Sequence, residues 1–155
     1  MRAVILWLHV LCGVVWVGVC ASFLLAAVAL ASEPSEAYAL ALRAAPRITR
    51  LCVPLAIVIP LTGIGNLLFV ARARGFALPP EFVGILAAKV TLLTAMAFAL
   101  WRAWRVVTVM REKTVHDADG TAAIGVNMRK LITLYSLIMG AGAAALALGF
   151  WLSGA

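Results

Sequence analysis

Three strongly polar side chains interrupt otherwise apolar runs in this chain: His9 in "LWLHVLCGVVWVG" (residues 6–18), Asn66 in "PLTGIGN" (residues 60–66) and Lys89 in "LAAKVTLL" (residues 86–93). Each residue type brings a distinct chemistry. A neutral imidazole is a metal ligand or proton carrier, a carboxamide both donates and accepts, and an ammonium pairs with an anion. No Asp or Glu lies in these runs. Glu81 is on the same helical face as Lys89 but two turns away, about 12 Å along the axis. Lys89 therefore either snorkels towards Glu81 and the headgroups or meets a carboxylate carried by a ligand, such as a porphyrin propionate. The imidazole of His9 is a natural axial ligand for haem iron. Together the two suit a haem or porphyrin better than bare copper, because an ammonium repels a metal cation. Plainer roles remain open: His9 as an interfacial hydrogen-bonder, Lys89 snorkelling without a ligand, and Asn66 as helix–helix glue.

The elements that must position these groups follow from composition. The chain has 155 residues, of which 65% are hydrophobic and 12% charged. Soluble domains average about half apolar and a quarter charged. Four stretches are long enough to cross the ~30 Å hydrocarbon layer, which takes about 20 helical residues. They run roughly over residues 4–31, 51–71, 82–104 (with a cytoplasmic extension to about 113) and 131–152. Backbone polar groups in lipid must be satisfied internally, and these runs are too long for barrel strands. The expected fold is all-α: a single four-helix transmembrane bundle.

Orientation comes from the basic residues. Arg43, Arg47, Arg50, Arg102, Arg105, Arg111, Lys113, Arg129 and Lys130 flank one side, against Arg2, Arg72 and Arg74 on the other. The positive-inside rule puts the first and third connections in the cytoplasm and both termini on the outer, periplasmic side of a bacterial-type inner membrane. Trp101 and Trp104 then read as an inner interfacial belt, Trp7 and Trp151 as an outer one. With that orientation His9, Asn66 and Lys89 all fall roughly 8–10 Å inside the outer boundary, which predicts one shared polar layer.

Local patterning supplies the surroundings. His9, Gly13, Trp16 and Cys20 share a face of the first helix. Gly13 leaves room beside the imidazole, and Trp16 lines a cavity or packs. Pro54, Pro60 and Gly63 predict a bent second helix that opens space opposite His9. Ala141, Ala145, Gly149 and Ser153 form a small-residue stripe on the fourth helix, a pattern of close packing. The first connection, with Arg43, Arg47 and Arg50 on one face, predicts a short interfacial helix or an extension of the second span. The third, "REKTVHDADGTAAIGVNMRK", reads as a polar loop, and its His116–Asp119 stretch as a solvated segment rather than a divalent-ion site. Cys12, Cys20 and Cys52 form no disulfide framework and read as small packing residues. The net charge of +7 clusters at helix ends, which excludes a nucleic-acid surface. "ALA" at residues 29–31 imitates a signal-peptidase site, but the preceding apolar run is too long for a signal segment and is expected to be retained.

These stretches, in order, resemble the HemJ-type protoporphyrinogen oxidases and the related CopD-type copper-resistance membrane domains. "LWLHVLCGVVWVG" resembles the first helix of that superfamily, "ITRLCVPLAIVIPLTGIGNLL" the second, "AAKVTLLTAMAFALWRAWR" the third and "MRKLITLYSLIMG" the start of the last. The resemblance implies haem b held by His9, a required lysine at Lys89, and oxidation of protoporphyrinogen to protoporphyrin. Trp16, Gly63 and Asn66 are expected to shape the pocket, and a quinone is a candidate redox partner. Two other readings stay open. One is a copper-handling transporter or assembly factor with His9, Cys12 and Cys20 as ligands. The other is a non-catalytic subunit of a larger membrane complex or homo-oligomer.

Overall fold

The computed structural model describes residues 2–116 and 121–154, excepting the side chains of 34, 113–116, 121–124 and 152–154. Four helices account for nearly all of it: α1 (Arg2–Ala29), α2 (Pro34–Ala73), α3 (Pro80–His116) and α4 (Thr121–Gly154). All four are long and apolar enough to span a membrane, so the protein is a multi-pass four-helix membrane protein. Large apolar side chains such as Trp7, Leu25 and Phe150 point outward, where lipid rather than water solvates them without penalty.

The helices are longer than the apolar runs alone suggest. α2 has 40 residues, about 60 Å at 1.5 Å per residue, so it projects well beyond the hydrocarbon. Of the two forms expected for the first connection, the extension of the second span is the one adopted. Pro34 opens it at a first-turn position, where its missing N–H has no partner to lose. The polar third connection is mostly helical rather than a loop: α3 continues to His116 and α4 begins at Thr121. Its alanines and long charged side chains favour helix once the flanking spans have nucleated it. The expectation for His116–Asp119, with Lys113 and Ser153, lies outside the described side chains.

Three prolines sit inside α2, at Pro46, Pro54 and Pro60. Each removes the N–H that the carbonyl four residues earlier would accept. The carbonyl of Leu42, freed by Pro46, accepts instead from Arg111 Nη2 of α3 at 3.2 Å. One turn earlier on α2, the Tyr38 hydroxyl donates to the Met110 carbonyl at 2.9 Å. These two bonds latch the projecting part of α2 to the end of α3.

The bundle is four-sided. α1 packs on α2 and α4, and α3 on α4 and α2, while α1 and α3 stand diagonally with no backbone approach among the described residues. The buried core occupies one half of its length: Cys12 to Ala27 of α1, Ala37 to Cys52 of α2, Met96 to Met110 of α3 and Met128 to Ile138 of α4. Outside these ranges, among the described residues, only Thr62 and Ala71 of α2 and Gly142 of α4 are buried. The basic residues cluster at the packed half, and His9, Asn66 and Lys89 belong to the loosely packed one.

Candidate functional site

The imidazole of His9 is held by α2. Its Nδ1 lies 3.0 Å from the Ile59 carbonyl oxygen and 2.9 Å from Thr62 Oγ1. The Thr62 hydroxyl sends its own hydrogen to the Val58 carbonyl, 2.7 Å away. A carbonyl oxygen only accepts, so this network assigns the imidazole hydrogen to Nδ1. In the neutral ring, Nε2 keeps its lone pair. Backbone support at one nitrogen with the other left free is the arrangement that orients metal-ligating histidines.

Gly63 makes the approach of α2 possible. A β-carbon there would stand 3.3 Å from His9 Cε1, tighter than ordinary van der Waals contact. The second helix therefore closes on the imidazole at Gly63 rather than leaving open space opposite it.

Residue pairs across the helix seams fix the depth of Lys89. Gly13 faces Leu146, and Gly149 faces Lys89 Nζ, 3.2 Å from where a β-carbon would stand. Four residues from Gly13 to His9 on α1 correspond to four from Leu146 to residue 150 on antiparallel α4. The ammonium and the imidazole thus occupy one layer, as counting residues along the spans predicts, and they interact electrostatically. Lys89 lies over α4 and not against α1, because α1 and α3 are diagonal. Among the described residues it makes no hydrogen bond or ion pair.

The other expected pocket residues are placed differently. Asn66 lies three residues past Gly63, about 4.5 Å nearer the bundle end, and its side chain makes no hydrogen bond among the described residues. Trp16 is 0% exposed and belongs to the core, about 10 Å below His9; among the described residues its indole Nε1 has no hydrogen-bond partner. His9 and Cys20 are about 16 Å apart along α1, and no group of three metal-ligating side chains exists among the described residues.

Sequence reasoning did not foresee a second polar cluster. The buried thiols of Cys20 and Cys52 face each other across the α1–α2 seam. The Tyr135 hydroxyl sits beside both of them and beside Thr49, with no partner at hydrogen-bond distance among the described residues. The Tyr135 ring packs on Phe23 at 4.4 Å between centroids. Nor did it foresee Ile59, Thr62 and Gly149, the residues that touch His9 and Lys89. The one available signal was Thr62 beside Gly63 in "PLTGIGN", at a depth matching His9.

Comparison with protein-family models, with curated proteins and with solved structures finds no match.

Proposed function

We propose that this membrane protein binds haem b or a related porphyrin in its loosely packed half and works in electron transfer, as its resemblance to HemJ-type and CopD-type proteins implies. The observation that carries the reading is the tethering of His9 Nδ1 by the Ile59 carbonyl and Thr62, which in the neutral ring keeps the lone pair on Nε2, where a metal would bind. Two further features fit the group. Lys89, which has no ion pair among the described residues, supplies a cation in the same layer, suited to a propionate. The half of the bundle around both has few buried side chains among the described residues, so a guest there would have few packed contacts to displace.

In this reading His9 ligates the iron, Lys89 neutralises a carboxylate, and Gly63 and Thr62 hold the imidazole at its angle. Asn66 contributes at the rim and Trp16 closes the floor. When bound, the haem supplies one-electron chemistry; the protein supplies orientation, charge and exclusion of water. The positive-inside bias places this layer towards the outer leaflet of a bacterial-type plasma membrane.

The test is the absorption spectrum of the protein purified in mild detergent, with elemental analysis. We expect iron, a Soret band, and loss of both in His9→Ala with the helix content retained. A Soret band that survives in His9→Ala overturns the assignment. Copper without iron transfers the protein to the copper-handling class, and a colourless, metal-free preparation held by a larger complex makes it an accessory subunit.

A further inference from the structure

At the basic end of the bundle, well away from His9, an open groove of about 480 Å³ runs along the α3–α4 seam. Its walls combine three cations, Arg102, Arg129 and Lys130, with three aliphatic side chains, Val106, Val126 and Leu134. The spacing explains the composition. Residues 102 and 106 are one turn apart on α3, and residues 126, 129, 130 and 134 follow one face of α4. Among the described residues no carboxylate lines the groove. Thr133 also lines it, and its hydroxyl hydrogen is committed to the Arg129 carbonyl at 2.9 Å, so its oxygen has only acceptor capacity left.

We infer that this groove is a binding site for the headgroup and upper acyl chain of an anionic phospholipid. The charge calls for an anion, and the aliphatic walls call for an amphiphile rather than a free ion. Location agrees with both. Exposed Trp101 and Trp104 lie on the same stretch of α3, and the Arg105 guanidinium stacks over the Trp101 ring at 5.9 Å. Tryptophan–arginine pairs of this kind mark the headgroup level of a membrane. Basic recesses between membrane helices at that level suit phosphate headgroups, each cation adding to the attraction. Arg43, Arg47 and Arg50 lie at the same end of the bundle but outside the groove, and so provide an internal comparison.

The experiment titrates detergent-purified, delipidated protein with phosphatidylglycerol, and separately with phosphatidylcholine, and counts retained lipids by native mass spectrometry. Phosphatidylglycerol should be retained well above phosphatidylcholine. Loss of Arg102, Arg129 and Lys130 together, each changed to Gln, should weaken that retention by about tenfold or more. Equal loss of charge through Arg43→Gln, Arg47→Gln and Arg50→Gln should weaken it little. Val126→Trp narrows the groove without changing charge and should also weaken retention, which keeps the test valid if the triple variant fails to fold. Equal retention of the two lipids, undiminished retention in Val126→Trp, or equal losses in the two triple variants overturns the site. Displacement of the lipid by millimolar inorganic phosphate would identify a free-anion site instead and likewise overturns it.

Discussion

Nδ1 of His9 and the carbonyl oxygen of Ile59 stand 3.0 Å apart, and this pair both joins α1 to α2 and sets the angle of the imidazole. A carbonyl inside a helix cannot move without disturbing its neighbours, so the ring is fixed by backbone rather than by a mobile side chain. The free Nε2, the property the proposed function depends on, follows from that choice of partner.

Supporting residues are therefore expected to matter without touching a ligand. Thr62→Val keeps the shape and removes one of the two acceptors at Nδ1; the expected loss in unfolding free energy is about 1 kcal/mol, measured by denaturant titration in detergent. Gly63→Ala puts a β-carbon 3.3 Å from His9 Cε1, so the ring must give by a few tenths of an ångström. On the proposed haem reading, iron affinity should fall by up to roughly 10- to 100-fold, the range for partners that orient a ligand, with helix content unchanged. Unaltered affinity in Gly63→Ala would show that the approach of α2 does not position the imidazole.

A second prediction concerns the packing of α4. A β-carbon on Gly142 would stand 2.5 Å from Val17 Cγ2 and 3.2 Å from Met96 Cε. Valine is stiff about its first torsion and cannot swing aside. Gly142→Ala should cost about 1–3 kcal/mol of stability by overpacking, and Val17→Ala in the same chain should recover part of it. Gly140→Ala, with nothing within 4 Å, should bring no such penalty and should leave stability unchanged or raise it by up to about 1 kcal/mol.

The latch between α2 and α3 can be tested as a cycle. Pro46→Ala returns an N–H to the Leu42 carbonyl, which Arg111 otherwise serves at 3.2 Å. Arg111→Ala should therefore destabilise the parent chain more than the Pro46→Ala chain. The expected coupling, read from four unfolding titrations, is about 0.5–1 kcal/mol for this exposed bond. A coupling of zero would mean that the arginine merely rests there.

The thiol pair gives a check of register. Cys20 and Cys52 face each other while Cys12 lies two turns away on α1. Treatment with iodine, an oxidant that enters apolar interiors, should join Cys20 to Cys52 with loss of two hydrogens and reduction of iodine to iodide. Peptide mapping should find Cys12 free. A Cys12–Cys52 product would shift α1 against α2 by two turns.

Much of the architecture was readable from residue order. The bilayer sets how long an apolar run must be, so four such runs meant four spanning helices, and the sparse charges marked their ends. Counting from those ends placed His9 and Lys89 in one layer, because helical rise is constant. The length of α2, α3 and α4 beyond the lipid was harder to see, since polar segments follow the helix they continue rather than any hydrophobic period.

The identity of each polar group's neighbour was not written in the sequence at all. Which helices stand side by side and which stand diagonally is a packing result, and it sent Lys89 over Gly149 of α4 rather than to α1. The same packing brought Ile59 and Thr62 to His9, paired Cys20 with Cys52 across a seam, and left one half of the bundle loosely filled. The sequence by itself determined four membrane helices and the depth of each polar side chain, because hydropathy and rise act along one chain. Only the tertiary structure decided what each polar side chain touches, because that depends on the rotation and order of helices about one another, which no single helix encodes.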